Sequence, residues 1–300
     1  MIVPQNIGRE RIVWKRALLG LAFTMPALTV LFVFSFWPFV QAMSLAFYRS
    51  NGLGSSEFVG LNNFLSILGD GLFWKSMAIL GLFGLLMVPL ETVGPLIGAK
   101  LINSVRNQRA SFIYRTIFVL PLVIPMVVLV LVWRNIYSID GALNRILGAL
   151  GATDLQTAWL GNTSTVIPAI VAIGIPFVGG VNLLIYLAGM LNISKSVYEA
   201  ADLEGASLAQ VFWMIELPLL RPQVGIVLAL SLIKLIHSYE HILVLTNGGP
   251  ANATLVPALY LFRNGFEFGH LGYASAVGVI LFCITLVLTL INLRLTRRMD

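Results

Sequence analysis

Ionisable side chains lie inside long apolar stretches of this chain, where a charge is costly unless it is paired or used. These residues are Glu91, Lys234, His237, Glu240 and His241. Lys234, His237 and His241 follow i, i+3, i+7 spacing and would share one face of a helix, with Glu240 a turn beyond His237. This face could form a structural network with neighbouring helices or line a path for a polar solute. The spacing leaves both open, because both turn the face toward the protein interior.

Two further residues are candidates for the same path. Asn182 and Tyr186 share a helix face at i, i+4, which suits hydrogen bonding and ring stacking against a polar solute such as a sugar. An Asn in a packed membrane helix more often bonds the backbone or a neighbouring helix, and both interpretations stand. Glu91 lies between Pro89 and Pro95, where we expect its carboxylate to satisfy backbone groups freed by a kink.

The sequence contains no residues arranged for catalysis. The phosphate-binding pattern G-x-x-x-x-G-K-[ST] is absent, and the nearest imitation, residues 94–100, has the wrong spacing. Neither a nucleophile elbow nor an H-E-x-x-H motif is present. The single cysteine, Cys283, lies in the last apolar stretch and excludes a disulfide framework or a cysteine-rich metal site. We therefore expect no enzyme activity, no metal site and no cofactor in this chain.

Composition points to a membrane protein. Hydrophobic residues make up 58% of the chain and charged residues 11%, against about 45–50% and 25% in soluble domains. Six apolar segments are each long enough to cross a bilayer as a helix, which takes about 20 residues. They are residues 17–47, 77–99, 112–133, 165–191, 223–246 and 271–293. The first is longer than the apolar region of a signal peptide, so we expect it to be retained. The predicted fold class is an all-α membrane protein with six transmembrane helices in one domain, residues 1–300.

The distribution of Lys and Arg predicts the orientation. With the N-terminal segment 1–16 inside the cell, thirteen of these residues fall in inner segments, five in outer segments, and Lys234 within a span. The outer five are Arg49, Lys75, Arg134, Arg145 and Arg263. Cytoplasmic loops are enriched in Lys and Arg, so both termini are predicted to be cytoplasmic. The net charge of +6 then reflects clusters beside spans rather than a surface for nucleic acid.

Prolines fall in or near most of the spans. They are Pro26, Pro38, Pro89, Pro121, Pro125, Pro168 and Pro176. A packed membrane helix tolerates proline because neighbouring groups satisfy the freed carbonyls. We therefore expect kinks in continuous helices rather than loops.

A polar segment, residues 192–222, separates the fourth and fifth apolar stretches on the predicted cytoplasmic side. Ser196 with Glu199, and Ser207 with Gln210, fit the spacing of a capping box at a helix start, and Gly205 lies between them. This predicts a short helix, a sharp turn and a second helix. Its small residues are expected where a helix enters a groove of another protein.

The order Glu199, Ala200, Ala201, then Gly205, then Ile215, Leu217 and Pro218 resembles the cytoplasmic coupling loop of the membrane subunits of binding-protein-dependent ABC importers. The resemblance implies that these residues, together with Asp202, dock into the nucleotide-binding subunit and transmit its closure to the spans. Glu199 can equally do no more than complete the first capping box.

The outer segments are similar to those of carbohydrate importer permeases, in particular the first permease of maltose and glycerol-phosphate type pairs. The matching stretches are residues 58–64, 133–141, 245–250 and 272–276, with Asn144, Leu147, Thr254, Tyr260 and Phe266. Where that family has a Phe-Asp pair, this chain has Tyr239 and Glu240, and this departure leaves the class of sugar open. Both residues are counted among the candidates for the solute pathway. The identity of the solute stays open between sugar, oligosaccharide, polyol and glycerol-phosphate.

The resemblance implies a heterodimeric pathway in a bacterial or archaeal cytoplasmic membrane. The implied partners are a second permease, two ATPase subunits that bind ATP and Mg, and an external solute-binding protein. An ion-coupled secondary transporter is the alternative, with Glu91, Lys234, His237 and Glu240 as the relay. This alternative predicts an internal repeat and no cytoplasmic docking helix. The sequence shows no convincing repeat, and residues 192–222 have the pattern of a docking segment.

Overall fold

The computed structural model describes residues 7–52, 54, 56–105, 107–173, 175 and 179–297, with side chains described from residue 19 to residue 296. Residues 1–6 of the predicted N-terminal segment, and Pro176, lie outside these ranges. The α-helices are α1 (Ile7–Leu31), α2 (Trp37–Leu45), α3 (Asn62–Leu68), α4 (Gly71–Asn103), α5 (Gln108–Val119), α6 (Met126–Ile136), α7 (Ala142–Ala149), α8 (Val166–Ala172), α9 (Gly180–Leu191), α10 (Lys195–Leu203), α11 (Leu208–Gln210), α12 (Leu217–Leu219), α13 (Arg221–His237), α14 (Glu240–Leu245), α15 (Pro257–Phe262) and α16 (Leu271–Arg297).

Short irregular turns and one hairpin join these helices. Tighter 3₁₀ turns run over Leu120–Val123 and Thr153–Leu155, and π-helical turns over Phe32–Phe36, Val211–Glu216 and Arg263–Glu267. Strands β1 (Tyr48–Ser50) and β2 (Ser56–Phe58) pair antiparallel, with Tyr48 opposite Phe58. Within the described ranges, the predicted all-helical character therefore holds apart from this small hairpin.

Three helical stretches in the described part of the chain are long and apolar enough to cross a membrane alone: Leu19–Leu45, Gly71–Asn103 and Leu271–Thr296. Three further pairs pass only together and are bent at a short break. They are Gln108–Val123 with Met126–Ile136, Gly180–Leu191 with Lys195–Leu203, and Leu208–Leu219 with Arg221–His237. Their bends are 93°, 70° and 69°. The structure is therefore compatible with three spans or up to six.

Prolines break the third predicted segment more sharply than expected. Pro121 lies in the 3₁₀ turn and Pro125 caps α6, so the chain bends by 93° between α5 and α6. Proline cannot donate the backbone bond that would carry a helix past this point. The expectation of kinks in continuous helices is wrong here, whereas α1 and α4 do continue past Pro26 and Pro89.

The fourth and fifth predicted segments are also divided. Helix α8 ends at Ala172 and is followed by Ile173, which is extended with ψ 127°, and Gly179 before α9 has a φ of +75°. In the fifth segment α13 ends at His237, Ser238 is extended with ψ 103°, and α14 begins at Glu240. The Ser238 hydroxyl lies 2.9 Å from Nδ1 of His241. We expected Lys234, His237 and His241 to share a face of one continuous helix. This expectation is wrong, because the helix is interrupted between His237 and His241.

Two apolar clusters hold the bundle together. In the first, Phe73 and Phe83 of α4 pack with Ile242, Leu259 and Val277 of later helices. The second joins α4, α9 and α13 nearer the polar segment, and its members include Leu96, Ala99, Tyr186, Met190 and Leu220. Helices α4 and α13 both contribute to the two clusters, α13 through Ile236 in the first and Val227 in the second, so these two helices connect the halves of the bundle.

Close backbone contact attaches the hairpin to the last helix. A Cβ at Gly272, the second residue of α16, would overlap the carbonyl oxygen of Tyr48. Asn63 donates to the carbonyl oxygens of Ala46 and Tyr48 at 2.8 and 3.0 Å. Gly272 and Asn63, both within the stretches that resemble sugar permeases, therefore build the framework of this face.

Candidate functional sites

The polar segment forms the predicted short helix, turn and second helix. Helix α10 ends at a Schellman motif, in which the N–H groups of Gly205 and Ala206 donate to the carbonyls of Asp202 and Ala201 at 3.1 and 3.0 Å. Gly205 has a φ of +70°, a conformation that glycine adopts without a steric penalty. The turn therefore depends on glycine at this position.

One of the two predicted capping boxes is confirmed. The amide of Ser207 donates to Oε1 of Gln210 at 2.8 Å, and the amide of Gln210 donates to the Ser207 hydroxyl at 3.3 Å. The other prediction is wrong. Helix α10 starts at Lys195 with Ser194 as its N-cap, so Ser196 already lies inside the helix, and its hydroxyl is 2.8 Å from that of Ser194.

The surface of the polar segment carries exposed leucines beside the turn. Leu203 is 90% exposed and Leu208 is 79% exposed. Among the other described large apolar side chains, only Phe23, at 84%, is more exposed than Leu208. Glu199, Ala200, Asp202 and Gly205 are exposed as well, whereas Ala201 is buried. Sequence reasoning missed the two leucines, although a large apolar residue in a polar segment was a visible signal.

The exit of the polar segment contains a buried ion pair that sequence reasoning also missed. Glu216, whose side chain is 1% exposed, accepts from Nζ of Lys100 at 2.7 Å and from the hydroxyl of Tyr198 at 3.1 Å. Burial, with the charge and the hydrogen bond of Glu216, raises the pKa of Tyr198 to about 12, so the hydroxyl remains a donor. Ile215, Leu217 and Pro218 flank this pair and are partly buried.

A second ion pair lies between α4 and α13. Nζ of Lys234 is 2.6 Å from Oε1 of Glu91, and the Glu91 side chain is 8% exposed. Both residues line a small cavity together with Ser231, Ser238 and His241. The carboxylate of Glu91 therefore pairs with a charge on another helix, which differs from the expected role of satisfying its own kinked backbone.

Asn182 and Tyr186 lie in the interior. The Asn182 amide donates to the carbonyl of Glu91 at 2.8 Å and to the Ser231 hydroxyl at 3.4 Å. Tyr186 is 1% exposed and belongs to the second apolar cluster. Asn182 thus bonds between helices beside the cavity, and Tyr186 packs in the core.

The remaining pathway candidates do not join this cavity. Nδ1 of His237 lies 2.9 Å from the carbonyl oxygen of Ile233, and the ring is exposed. Tyr239 stacks on Phe262 with ring centroids 5.3 Å apart. Glu240 is an exposed residue in the first turn of α14. The structure thus brings together Glu91, Asn182 and Lys234 and leaves the other three outside.

Two polar side chains, the partly buried Asp70 and the buried Asn144, each make several hydrogen bonds. Asp70 caps α4, and its Oδ2 accepts from the hydroxyls of Tyr260 and Tyr273. Asn144 donates to the carbonyls of Ile139 and Thr157 and accepts from the Trp159 indole at 2.8 Å. Tyr260 and Asn144 were noted for their resemblance to sugar permeases, and their observed contacts hold loops in place.

Comparison with known proteins identifies the family. Residues 92–300 match the family described as binding-protein-dependent transport system inner membrane component. A probable ABC transporter permease of Bacillus subtilis, YesP, is 31% identical over 94% of this chain and 92% of its own length. The trehalose/maltose transport system permease protein MalF of Thermococcus litoralis is 32% identical over 96% of this chain and 97% of its own. The chain therefore belongs to the binding-protein-dependent transport family of inner membrane components.

A solved structure shares the fold. One chain of a bacterial alginate ABC transporter, in complex with an alginate pentasaccharide-bound periplasmic protein, matches with a TM-score of 0.79. The match covers 95% of this chain and 96% of that one at 23% identity. This likeness shows that the helical bundle has the same fold as that transporter chain.

Proposed function

We propose that this chain forms half of the translocation pathway of an ATP-driven importer for a sugar or sugar-like solute delivered by an external solute-binding protein. The family description names dependence on a binding protein. The name of the Thermococcus relative, a trehalose/maltose permease, supports a sugar class. None of the relatives described above supports the ion-coupled alternative.

The main structural support for an ATP-driven mechanism is the pair of exposed leucines beside the Gly205 turn. Leu203 and Leu208 are 90% and 79% exposed, on a segment whose other exposed residues near the turn are polar or small. Burying a leucine side chain contributes about 2 kcal/mol. A partner groove that covers both leucines would therefore be strongly favoured in free energy of association. We assign that groove to an ATPase subunit, with α10 as the coupling helix and Glu199, Ala200, Asp202 and Gly205 on the docking face.

We assign six crossings in which α9 is grouped with α8 rather than with α10, and α13 with α14 rather than with α12, so that α10 to α12 form a loop between spans. The six are α1 with α2, α4, α5 with α6, α8 with α9, α13 with α14, and α16. This assignment keeps both termini and the loop of residues 192–222 in the cytoplasm, in agreement with the Lys and Arg asymmetry. The hairpin, α3 and α15 then lie outside, where residues 58–64 and 246–268 offer part of the surface for the solute-binding protein.

The cavity beside the Glu91 and Lys234 pair is the proposed contribution of this chain to the pathway. Its polar groups come from α4, α13 and α14, and more than half of the Lys234 side chain is exposed. A second permease would supply the opposite wall, because small-ligand sites bury about 70–90% of the ligand. Closure of the ATPases on ATP would turn the pathway outward, and hydrolysis would reset it.

Affinity purification of the tagged chain from its native membrane tests this function. We expect a second permease and an ATPase to co-purify, and ATP hydrolysis by the complex to rise when the loaded solute-binding protein is added. The mass spectrum of the small molecule released from that binding protein would identify the solute. Solute transport by the purified chain alone in vesicles would contradict the proposal.

A further inference from the structure

We infer that Lys100, Tyr198 and Glu216 form a lock that makes the cytoplasmic end of α4 move together with α10. This inference rests on the proposed function, since it assigns the residues through which motion of the coupling helix reaches the spans. The three residues come from three elements: α4, α10 and the π-helical turn that precedes α12. We call them the coupling lock.

The contacts converge on one carboxylate oxygen. Oε1 of Glu216 receives both the ammonium of Lys100 at 2.7 Å and the hydroxyl of Tyr198 at 3.1 Å. Within the described residues, Oε2 of Glu216 is buried and has no hydrogen-bond partner. A carboxylate that is buried in this way needs its two donors, because an unpaired charge in a low-dielectric interior is strongly unfavourable. Neither donor can therefore leave without a large penalty.

An ion pair fixes the relative position of two helices in a way that apolar packing does not. Leu96 and Ala99 of α4 pack in the second apolar cluster with Leu220, and the burial of apolar surface is not directional. The Lys100 to Glu216 bond is directional and short, so sliding breaks it. The coupling lock consequently sets the register between α4 and the polar segment.

Helix α4 carries this register to the proposed pathway. Glu91 lies nine residues before Lys100 on the same helix, or about 13 Å along its axis at 1.5 Å per residue. It pairs with Lys234 of α13 at the cavity. A displacement of α4 at Lys100 would therefore also move Glu91 and its ion pair with Lys234 in the wall of the cavity.

Spin labels on the two elements test the lock in the purified full complex. The labels are attached at Ser104→Cys, just beyond α4, and Ser196→Cys in α10, with Cys283→Ser removing the native thiol. We expect their separation to be equal in the nucleotide-free and the ATP-vanadate-trapped complex. In the variants Glu216→Gln and Tyr198→Phe, of which the second is the milder change, we expect the distance between the labels to differ between the nucleotide-free and the trapped complex. The expected difference is about 1–2 Å or more, the scale of helix shifts.

Reversing the pair provides a rescue. The double variant Lys100→Glu/Glu216→Lys is expected to restore the constant separation, which a merely destabilising effect of each change would not do. Lys75→Met, a change at the other end of α4, is the control and should behave as the parent. If the single charge variants fail to assemble, Tyr198→Phe and the double variant decide the outcome.

Two failures are distinguishable. A chain that never associates with an ATPase overturns the proposed function together with this inference. An assembled, ATP-hydrolysing complex in which Tyr198→Phe and every assembled charge variant keep the parent separation in both states overturns the coupling lock alone.

Discussion

Lys234 and Glu91 form an ion pair across α13 and α4, with Nζ 2.6 Å from Oε1. The two partners differ in environment, since the side chain of Glu91 is 8% exposed and that of Lys234 is 55% exposed. Removal of the lysine leaves a nearly buried carboxylate unpaired, whereas removal of both charges leaves no such group. The pair therefore joins α4 and α13 at the proposed pathway. The Glu91 carboxylate is stable in its buried position only while Lys234 is present.

Lys234→Met should destabilise the chain by about 1–3 kcal/mol, less than a fully buried pair because the lysine is partly exposed. The double variant Glu91→Gln/Lys234→Met should recover most of this loss. Thermal unfolding of the purified complex in detergent measures both. Equal stability of the single and the double variant would show that the charges do not interact.

Gly205→Val should abolish ATP-driven uptake while the chain still inserts into the membrane. The φ of +70° costs a residue with a side chain about 1–2 kcal/mol, and a β-branched residue more. Gly81→Val in α4 is the matched control, because a Cβ added at either glycine would have no neighbouring atom within 4 Å and φ is positive only at Gly205. Uptake at the parental rate by the Gly205 variant would contradict the role of the turn.

Leu203→Asp should weaken association with the ATPase without unfolding the chain. The side chain is 90% exposed, so its loss leaves the fold intact but removes about 2 kcal/mol of burial in the complex, or about thirtyfold in affinity. Leu155→Asp, an exposed leucine on the opposite side of the proposed topology, is the control. Co-purification yields of ATPase measure the effect, and unchanged yields would exclude Leu203 from the docking surface.

Asp70 should contribute stability that is lost in acid. Burial raises the pKa of its carboxyl, but hydrogen bonds from Tyr260 and from the backbone of Leu72 and Phe73 outweigh this and hold it below 3.8. A folded-state pKa below the unfolded value gives stability that is complete above about pH 4 and disappears as pH falls through the folded value.

Asp70→Ala should cost about 1–2 kcal/mol from the lost helix cap alone. Asp70→Asn keeps the cap and should lose less, with a smaller decline in melting temperature between about pH 6 and pH 3 than the parent. An identical acid response in the Asn variant and the parent would show that this carboxylate does not carry the effect.

Cysteines at Ala206 and Asn252 should react from opposite sides of the membrane. With Cys283→Ser as background, an impermeant maleimide is expected to label Ala206→Cys in inside-out vesicles and Asn252→Cys in whole spheroplasts. The reason is that the six-span assignment places the turn at Gly205 inside and the loop after α14 outside. Labelling of both positions from one side would refute that assignment.

The sequence by itself determined the properties that depend on local composition and spacing. Composition and the length of the apolar segments predicted a helical membrane protein. The Ser207 to Gln210 spacing and Gly205 predicted the turn, because caps and positive φ are set within four or five residues. The order of Glu199 to Ala201, then Gly205, then Ile215 to Pro218 predicted the importer family, and the family match over residues 92–300 confirms that prediction.

Only the tertiary structure decided which distant residues pair. Lys100 and Glu216 are 116 positions apart, and Lys234 and Glu91 are 143 apart, so no local pattern relates them. The break of α13 at Ser238 likewise follows from tertiary context, because nothing in the run of residues 223–246 forbids a continuous helix as the prolines do near α6. A buried charge is tolerated only where another element supplies its partner, and that partner is defined by how the helices pack.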